Sequence, residues 1–583
     1  GPNCLGIVST DPAVRLNATF APLTPPAGRI GFSSQSGALG LAIIDYANSL
    51  GMGISTFVSV GNKADISGND LLGYWEADPH TDVILLYLES FGNPRKFSRI
   101  ARRVGRVKPI AVVKSGRSPA GARATSSHTG ALIAASDVTV DALFRQAGVI
   151  RTDTLEELFD VAILLAHQPP PKGRRVGIIT NAGGPGILCA DACEAEGLEI
   201  PLLGVEAQAR LRAVLPREAI VANPVDMIAS ATPEHYRETI RIVAEDPNVD
   251  ALVVIFIQPL VTRAEEVARV MVEEVRGLDR RKPVLSVFMS ARGVPEELKT
   301  AEVRVPSYAF PEAAAIALAR AARYGEWRGR PGAVRPRLEG LRRDEAAAIV
   351  ATALHRGEGW LTPEEAGALL SCYGLPVVAQ RVANTPAEAG LAAQELGGEV
   401  ALKGIAPGLV HKTELGGVRL HLRGGEQVRL AAEEMGTLLA SRGYPPTGFL
   451  VQQMVPEGVE LIVGVVHDPQ FGPVVACGAG GVLVELLRDV SVRLAPLTEQ
   501  DASEMVRALK TYPLLTGFRG APACDVAALE EALLRVSELA EDLPQIAELD
   551  CNPMRVHEKG AAIVDARVRA MPAEPPPPLG ARR

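Results

Sequence analysis

Short apolar segments alternate with amphipathic stretches through the first part of the chain. Residues 29–32, 54–58, 83–88 and 110–113 have the apolar, β-rich composition of buried strands. Residues 38–50 have the apolar spacing that is typical of an amphipathic helix. Strands that alternate with helices in this way predict a parallel, doubly wound α/β sheet.

A second α/β pattern begins after a proline-rich break at residues 169–173. A new strand is predicted at 176–180, and later strands at 251–257 and 284–288. The pattern ends at residues 326–332, where Pro, Gly and Arg replace the apolar periodicity. It predicts a second domain of the same class and then a linker. We find no residue-level repeat between the two domains.

The last third of the chain has a different organisation. Thr362 and Pro363 form a helix start, because Thr caps a helix and Pro suits its first turn. From there to about residue 570 the pattern predicts a mixed α+β region. Residues 571–583 include a run of four prolines, so we expect this tail to be disordered.

The length and charge limit the class of protein. A chain of 583 residues is too long for one hydrophobic core, so several domains are expected. No apolar run reaches the roughly 20 residues that a membrane span needs, and we therefore expect a soluble protein without a membrane partner. A net charge of -8 provides no general basic surface, so no nucleic-acid partner is expected.

The seven cysteines are scattered and include no CxxC pair, which favours reduced thiols in the cytoplasm. Cys189 and Cys193 stand four residues apart on a predicted helix, as metal ligands could. A buried helix face is favoured instead, because no second Cys/His pair accompanies them. The chain starts at Gly1 without Met or a signal-peptide pattern, so we expect it to be cut there.

His128 is the first candidate for covalent chemistry. It lies in a loop of small residues after the strand at 110–113. A histidine that accepts a phosphoryl group needs its other ring nitrogen hydrogen-bonded, ideally to a carboxylate. Glu89 follows the strand at 83–88, and open α/β sheets place their sites at the carboxyl ends of strands. Glu89 is therefore the candidate partner, with a merely solvated carboxylate as the alternative.

Two turns that lead from a strand into a helix are candidate phosphate sites. One contains Ser36 and Gly37, and the other contains Gly183 and Gly184. The N-terminus of a helix offers free N–H groups and a positive dipole end to a phosphate. Neither turn matches GxGxxG or a P-loop, and such turns also serve as packing devices. Each is weak evidence by itself.

The third region has candidate nucleotide-binding residues without a P-loop. Lys403 lies in a predicted strand and could neutralise phosphates, and His411 is followed by Lys412. The glycine-rich residues 478–481 could close over phosphates through backbone N–H groups, or could form a tight turn. Oxygen-bearing side chains of the type that Mg²⁺ requires follow at Glu460, Asp550, Asn552 and Asp565.

Three motifs in this order give the chain a family resemblance. They are residues 127–132 around His128, the Asn-Pro-Val-Asp sequence at 223–226, and His411-Lys412 followed by residues 416–418. Together they resemble ADP-forming acetyl-CoA synthetases, relatives of succinyl-CoA synthetase, in the form with both subunits fused. The resemblance covers nearly the whole chain. It implies an α/β multidomain protein in which two flavodoxin-like, doubly wound ligase domains precede an ATP-grasp domain.

The resemblance also implies the domain limits. They are a remnant of a Rossmann-like CoA-binding domain at 1–24, the first ligase domain at 25–168, the second at 169–330, a linker at 331–360, the ATP-grasp domain at 361–570 and the tail at 571–583. Only residues 1–7 resemble the end of the CoA-binding domain, so most of the CoA site is expected to be absent. Truncation and a domain supplied by another chain both remain open.

The same resemblance implies roles for the candidate residues. His128 would be the phosphorylated histidine and Glu89 the carboxylate that orients it, with the helix starts at Ser36 and Gly184 beside the phosphate. His411 would be a second histidine, which relays the phosphoryl group to the nucleotide. The remaining implied assignments are Lys403, Gln453, Met454, Val455 and Glu460 for ATP, and Asp550, Asn552 and Asp565 for the metal.

The implied activity is the reversible conversion of a carboxylic acid, CoA and ATP into acyl-CoA, ADP and phosphate. Mg²⁺ is the implied cofactor and a homodimer the implied assembly, while the acid and the choice between ADP and GDP stay open. One alternative is a synthetase-like regulatory scaffold of a protein acetyltransferase, whose members often lack the catalytic histidine. Another is a non-catalytic nucleotide-binding protein, which the intact histidine and metal motifs disfavour.

Overall fold

The structure is a computed structural model that describes residues 2–63, 65–118, 120, 136–258, 262–278, 282–290, 293–300, 303–332, 334–357, 359–407, 415–480 and 489–573. These residues form two compact units, which divide between Pro331 and Gly332. Within the described ranges, no helix is long and apolar enough to cross a membrane. Residues 574–583 of the predicted disordered tail lie outside the described residues.

The first unit begins with a mainly parallel sheet. Among the described residues its strands are β1 (Gly6–Ser9), β2 (Leu16–Thr19), β3 (Ala27–Ser34), β4 (Ile54–Ser59), β5 (Val83–Leu88), β6 (Ile110–Lys114) and β7 (Ile150–Thr152), in the order β2-β1-β4-β3-β5-β6-β7. The helices around it are α1 (Gly37–Ser49), α2 (Gly68–Ala77), α3 (Pro94–Val104), α4 (Asp137–Ala147) and α5 (Leu155–His167). The strands from β4 to β7 in this order pair in parallel, so the predicted doubly wound sheet is confirmed.

The predicted strands of this sheet agree with the structure to within a few residues, because strands covered on both faces are almost continuously apolar. The segment 1–24, expected to be a remnant of a CoA-binding domain, instead contributes two strands to the same sheet. β1 pairs antiparallel with both β2 and β4. The structure therefore assigns this segment to the body of the first ligase domain, and its origin in a CoA-binding domain stays a prediction.

A second, fully parallel sheet follows in the same unit. Its described strands are β8 (Val176–Thr180), β9 (Val225–Asp226), β10 (Ala251–Ile257), β11 (Val284–Met289) and β12 (Ser307–Tyr308), in the order β12-β11-β10-β8-β9. The accompanying helices are α6 (Gly183–Ala195), α7 (Val205–Val214), α8 (Pro233–Glu245), α9 (Ala264–Gly277), α10 (Glu296–Thr300) and α11 (Pro311–Gly329). The predicted strands β8, β10 and β11 are confirmed. The strands β9 and β12 were not predicted, because two residues are too few to show the apolar pattern of a strand.

The two sheets share one hydrophobic core. Leu158 of α5 and Leu318 of α11 belong to the same buried cluster as Phe32 of β3 and Ile178 of β8. Hydrogen bonds cross between the two halves as well, since the Tyr308 hydroxyl donates to the carbonyl of Asp160 over 3.0 Å. The two predicted ligase domains are thus packed into one body.

The cysteine pair on α6 contributes to this core. Cys189 and Cys193 are both fully buried, and both thiols are free. The hydrogen bond with Cys193 raises the pKa of the Cys189 thiol, and burial raises it further. The interpretation of this pair as a buried helix face is confirmed.

The second unit contains two antiparallel sheets. One consists of β14 (Gln380–Ala383), β15 (Glu399–Ile405), β16 (Val418–Arg423) and β17 (Gly448–Gln453), in the order β14-β17-β15-β16 within the described part of the chain. The other contains β13 (Gly359–Trp360), β18 (Val459–Asp468), β19 (Gly472–Ala479), β20 (Val490–Leu494), β21 (Ile546–His557), β22 (Gly560–Ile563) and β23 (Ala566–Ala570). The helices are α12 (Arg343–His355), α13 (Pro363–Cys372), α14 (Pro386–Leu396), α15 (Gly425–Ser441), α16 (Glu499–Arg507), α17 (Tyr512–Leu515) and α18 (Val526–Asp542).

The segment 331–360, predicted to be a linker, contains the helix α12. Ala346, Val350 and Ala353 are buried on one face of this helix and belong to the core of the second unit. This finding corrects the linker prediction. The Arg-rich sequence before the helix hid an apolar face with ordinary helical spacing.

Gly148 provides a test of how tightly the first unit is packed. It follows α4 with φ +69°, and a Cβ there would lie 2.3 Å from the ring of Trp327. Gly51 has a similar φ of +61°, but a Cβ there would meet nothing within 4 Å. We expect Gly51→Ala to lower the free energy of unfolding by about 1–2 kcal/mol through backbone strain alone. Gly148→Ala should cost about 1–3 kcal/mol more, because the added methyl overpacks against the indole.

Urea denaturation of the two variants, followed by tryptophan fluorescence, measures this difference. If both variants lose the same free energy of unfolding, the Trp327 indole can move aside without cost and the packing argument is wrong.

Candidate functional site

The two candidate histidines lie outside the described residues. His128 falls in the segment 121–135, and His411 falls in the segment 408–414. Their roles therefore stay predictions. The described residues that were predicted to surround them can be located within each unit.

Glu89 lies at the carboxyl edge of the first sheet, directly after β5, as predicted from its position in the sequence. Its backbone is held by Gln35, which follows the neighbouring strand β3 and is 7% exposed. Gln35 Oε1 accepts from the N–H of Glu89 over 2.7 Å and from the N–H of Ser90 over 2.9 Å. Gln35 Nε2 donates to the Ser90 carbonyl over 2.7 Å. Sequence reasoning missed Gln35, whose partners lie more than 50 residues away.

Ser36 and Gly37 form the start of α1 beside this edge. Ser36 is the N-cap, and its hydroxyl accepts from the N–H of Leu39 over 3.3 Å. The turn before it is closed by Ser34, whose hydroxyl donates to the Ser36 carbonyl over 2.8 Å. The structure thus gives Ser36 a capping role. Phosphate binding by Ser36 and Gly37 stays a prediction.

Two lysines flank Glu89 at the same edge. Lys63, after β4, donates to the Ser90 carbonyl over 2.9 Å and to the Ser90 hydroxyl over 2.5 Å. Burial lowers the pKa of Lys63 to about 8; the charge of Glu89 opposes the shift and that of Lys114 adds to it. Burial likewise lowers the pKa of Lys114 at the end of β6. Neither lysine was singled out in the sequence.

The second sheet repeats the turn between strand and helix. The Thr180 hydroxyl donates to the Ala182 carbonyl over 2.8 Å, as Ser34 does for Ser36. The Asn181 amide exchanges two hydrogen bonds with the backbone of Ile257, at the end of β10, over 2.8 and 2.9 Å. Because β8 lies between β9 and β10 as β3 lies between β4 and β5, the positions correspond.

Four residues of one turn thus match four of the other, namely Ser34, Gln35, Ser36 and Gly37 with Thr180, Asn181, Ala182 and Gly183. The two domains therefore do share a short residue-level repeat at these positions, contrary to the prediction from sequence. The match is hidden because three of the four pairs are similar residues rather than identical ones.

Asp226, the last residue of the Asn-Pro-Val-Asp motif, lies at the start of α6. A Cβ added at Gly183 would be 3.1 Å from its Oδ2, while its Oδ1 accepts from the N–H of Ile228 over 2.9 Å. Nothing comparable limits a Cβ at Gly184, which has open space around it. The start of α6 therefore has a carboxylate beside Gly183, and a role of either glycine with phosphate stays a prediction.

Asn223 of the same motif has a structural function. Its Oδ1 accepts from the N–H of Ile178 over 2.9 Å, and its Nδ2 donates to the carbonyls of Val176 and Pro201 over 2.7 and 2.9 Å. The bonds to Ile178 and Val176 satisfy backbone groups of β8 that β9, a two-residue strand, does not reach.

In the second unit, Lys403 lies on β15 and is 7% exposed. Its Nζ donates to the carbonyl of Val564 over 3.0 Å. The buried amide of Gln452 donates to the same carbonyl over 3.1 Å. Because Asp565 follows Val564, the structure brings Lys403 close to a residue of the predicted metal end.

The predicted ATP-binding residues Gln453, Met454 and Val455 lie at the end of β17. The N–H of Gln453 donates to the Ala379 carbonyl over 3.0 Å, and the N–H of Met454 donates to the Glu399 carbonyl over 2.9 Å. Val455 is partly buried. Glu460, also predicted to bind ATP, pairs with Arg555 on the adjacent strand over 2.6 Å.

The predicted metal ligands lie on β21 and after β22. The N–H of Asn552 donates to the Asp565 carbonyl over 3.0 Å, which joins the two segments. Burial raises the pKa of Asp550; Arg567 opposes this shift, and the charges of Glu548 and Asp565 add to it. Among the described residues, no three His, Cys, Asp or Glu side chains form a preassembled metal cluster. Crowded carboxylates with an adjacent amide nevertheless fit Mg²⁺, which takes one or two carboxylates and its other ligands from phosphates and water.

The glycine-rich turn lies at the end of β19, and residues 481–488 beyond it are outside the described residues. The N–H of Gly480 donates to the Glu460 carbonyl over 2.8 Å, and a Cβ there would be 2.7 Å from that backbone. Asp489, the first described residue after 481–488, is buried and accepts from the N–H groups of Lys510 and Thr511, each over 2.8 Å. Burial opposes ionisation of Asp489, but these bonds lower its pKa overall. This anchor was not predicted.

Comparison with known proteins agrees with this architecture. The family model of the succinyl-CoA ligase like flavodoxin domain matches residues 27–165, that of the Ligase-CoA domain matches 176–330, and that of the ATP-grasp domain matches 352–570. The acetate–CoA ligase (ADP-forming) I of Archaeoglobus fulgidus is 39% identical over 573 residues, which are 97% of this chain and 81% of the relative. The chain belongs to the ADP-forming acyl-CoA ligase family.

Other members of the family differ in the acid that their names give. The 4-hydroxybutyrate–CoA ligase (ADP-forming) of Nitrosopumilus maritimus is 35% identical over 97% of this chain and 82% of the relative. The acetyl-coenzyme A synthetase 1 of Ca. Korarchaeum cryptofilum, solved with phosphate and ADP, is 36% identical with a TM-score of 0.53, over 56% of this chain and 71% of that one. These relatives are ligases and synthetases, so they give no support to the regulatory-scaffold alternative.

The position of Lys403 leads to a test of nucleotide binding in this ligase. We expect Lys403→Met to weaken the binding of ADP with Mg²⁺ by about 10- to 100-fold, because a charged hydrogen bond contributes about 1.5–3 kcal/mol. Isothermal titration calorimetry measures the affinity. The control is Lys559→Met, which removes an exposed lysine from the turn between β21 and β22. Unchanged affinity in Lys403→Met would remove this lysine from the nucleotide site.

Proposed function

We propose that this ligase joins a carboxylic acid to CoA, with conversion of ATP to ADP and phosphate, through an acyl phosphate and a phosphohistidine at His128. The reaction is reversible. The observation that carries the proposal is the position of Glu89, whose backbone is fixed by the buried Gln35 amide beside the start of α1. A carboxylate held rigidly at the carboxyl edge of a parallel sheet can orient an imidazole for phosphoryl transfer.

The steps are written in the direction of ATP synthesis. Phosphate attacks the acyl carbon of acyl-CoA, the C–S bond breaks, and acyl phosphate and CoA form. A ring nitrogen of His128 then attacks phosphorus, the bond from phosphorus to the acyl oxygen breaks, and the carboxylate leaves. His411 takes the phosphoryl group from His128 and transfers it to a β-phosphate oxygen of ADP.

Glu89 acts on the second of these steps. It accepts a hydrogen bond from the ring nitrogen of His128 that does not carry phosphorus, which fixes the tautomer and favours the charge that develops on the ring. The start of α1 at Ser36 and Gly37 and the start of α6 at Gly183 and Gly184 face the phosphate.

The nucleotide binds in the second unit. Lys403 neutralises phosphate charge, Gln453, Met454 and Val455 contact the base, and Glu460 contacts the ribose. Asp550, Asn552 and Asp565 would hold Mg²⁺, which would neutralise charge on the phosphate oxygens during phosphoryl transfer. Phosphoryl transfer of this type depends on positioning and charge rather than on a general base.

The remaining parts of the proposal concern the setting of the enzyme. CoA, ATP and a carboxylic acid are its substrates, and a homodimer is its assembly. The seven free thiols fit the reducing cytoplasm.

The two histidines can be tested directly by phosphorylation. We expect the chain to incorporate acid-labile, base-stable label from γ-labelled ATP and Mg²⁺, because a phosphoramidate has this stability. His128→Ala should abolish stable label, and His411→Ala should abolish its transfer from ATP. His355→Ala, which changes an exposed histidine at the end of α12, is the matched control and should label normally. A chain that binds ATP but takes up no label would contradict the proposed function.

Glu89 can be separated from the histidines by a change that keeps its size. Glu89→Gln retains the backbone N–H bonded to Gln35 but removes the charge, so we expect the rate of labelling to fall by about 10- to 100-fold. The control is Glu76→Gln, which removes a carboxylate from an exposed pair with Arg103. Reactions quenched at a series of times, at the same ATP concentration, compare the labelling rates of the two variants. A Glu89→Gln variant that labels at the parent rate would leave Glu89 without a role.

A further inference from the structure

Lys63 makes an unusual set of contacts for a residue in a surface turn. It follows β4 with φ +56°, in the left-handed region that is unfavourable for residues other than glycine. Its side chain is half-buried, and its Nζ donates to both the carbonyl and the hydroxyl of Ser90, over 2.9 and 2.5 Å. Two of the three N–H donors of this ammonium are thus used on one residue, the one directly after Glu89.

Ser90 is held from a second direction by Gln35. The amide of Gln35 accepts a hydrogen bond from the N–H of Ser90 and donates one to the Ser90 carbonyl. That carbonyl therefore accepts from both Gln35 and Lys63. Gln35 extends from β3, whereas Lys63 extends from β4, on the far side of β3 from β5. The segment of Glu89 and Ser90 is therefore fixed from two strands, and the direction in which the Glu89 side chain leaves the sheet depends on both contacts.

The charged groups that act on Lys63 in the described part of the chain are Glu89 and Lys114. The negative charge of Glu89 favours the charged form of Lys63. Lys114, at the end of β6, opposes the charge on Lys63. Lys63 thus makes hydrogen bonds to the residue after Glu89 and also interacts with the charge of the Glu89 carboxylate.

We infer that Lys63 is a positioning residue for phosphorylation of His128, which it serves by holding the Glu89–Ser90 segment and by placing a positive charge near the carboxylate. This inference rests on the proposed function, because it takes Glu89 as the partner of His128. Lys63 acts through Glu89 and Ser90 and needs no contact with the substrate.

The inference implies a dependence on pH with a definite sign. The folded pKa of Lys63, about 8, lies below its ordinary value of 10.5, so the ammonium loses its proton as pH rises through about 8. The neutral amine no longer places a positive charge near Glu89. The rate of labelling should therefore fall across this range, whereas an arginine at position 63 keeps its charge and should remove the alkaline decline.

The experiment measures the initial rate of His128 labelling from γ-labelled ATP and Mg²⁺ between about pH 6.5 and 9.5. The variants are Lys63→Met and Lys63→Arg in the full chain. The matched control is Lys108→Met. Like Lys63, Lys108 donates two hydrogen bonds, here to the backbone carbonyls of Trp75 and Asp78, each over 2.6 Å, and burial lowers its pKa too. It precedes β6 and so lies at the opposite edge of the same sheet.

We expect Lys63→Met to label about 10- to 100-fold more slowly at neutral pH and to lack the decline near pH 8. Lys63→Arg should label within a few-fold of the parent at neutral pH, also without the decline. Lys108→Met should keep both the rate and the decline of the parent, whatever its loss of thermal stability. This combination separates positioning from general stabilisation.

Two results would overturn the inference. One is a Lys63→Met variant with the rate and pH profile of the parent, and the other is an alkaline decline that persists in Lys63→Arg. Absence of any His128-dependent label on the parent, with ATP still bound, is a different result, because it refutes the proposed function itself. Calorimetric ADP affinity, which depends on the second unit, should be the same in all variants, and urea denaturation followed by tryptophan fluorescence checks that the first unit of each is folded.

Discussion

The hydrogen bonds of a single buried amide hold the candidate site of the first unit together. Gln35 joins the end of β3 to the segment after β5 through two acceptor bonds and one donor bond. An amide suits this place because it can donate and accept at once without the desolvation cost of a charge. The start of α1, the backbone of Glu89 and the Ser90 groups that Lys63 contacts are all fixed relative to this amide. Without it, two backbone N–H groups at the edge of the sheet would lose their partner.

The second sheet uses the same device with a shorter side chain. Asn181 has one methylene fewer than Gln35 and bonds to Ile257, the last residue of β10, rather than to the residues beyond the strand. The carboxylate near the following helix comes from the other neighbouring strand, since Asp226 ends β9. In the first sheet, the carboxylate therefore follows the strand whose end the turn amide contacts. In the second sheet, the carboxylate comes from the strand on the other side of the turn.

Features that depend on local sequence were predictable, and features that depend on distant contacts were not. The apolar runs located the parallel strands, and the position of Glu89 after β5 followed from them. Gln35 and Asp489 were missed because their partners are backbone groups on other elements, which leave no pattern in the sequence. The helix α12 was missed although Ala346, Val350 and Ala353 carry its spacing, because the prolines and arginines before it suggested a linker. The short strands β1 and β2 pair antiparallel at the edge, where a few residues carry too little periodicity.

The shared core of the first unit has a consequence for how such a gene can be divided. A break in the chain between the two sheets, near the prolines at 169–171, would leave Leu158 and Leu318 on separate polypeptides that each expose half of one apolar cluster. A gene divided at these prolines would therefore encode two polypeptides that each need the other to bury their apolar surface.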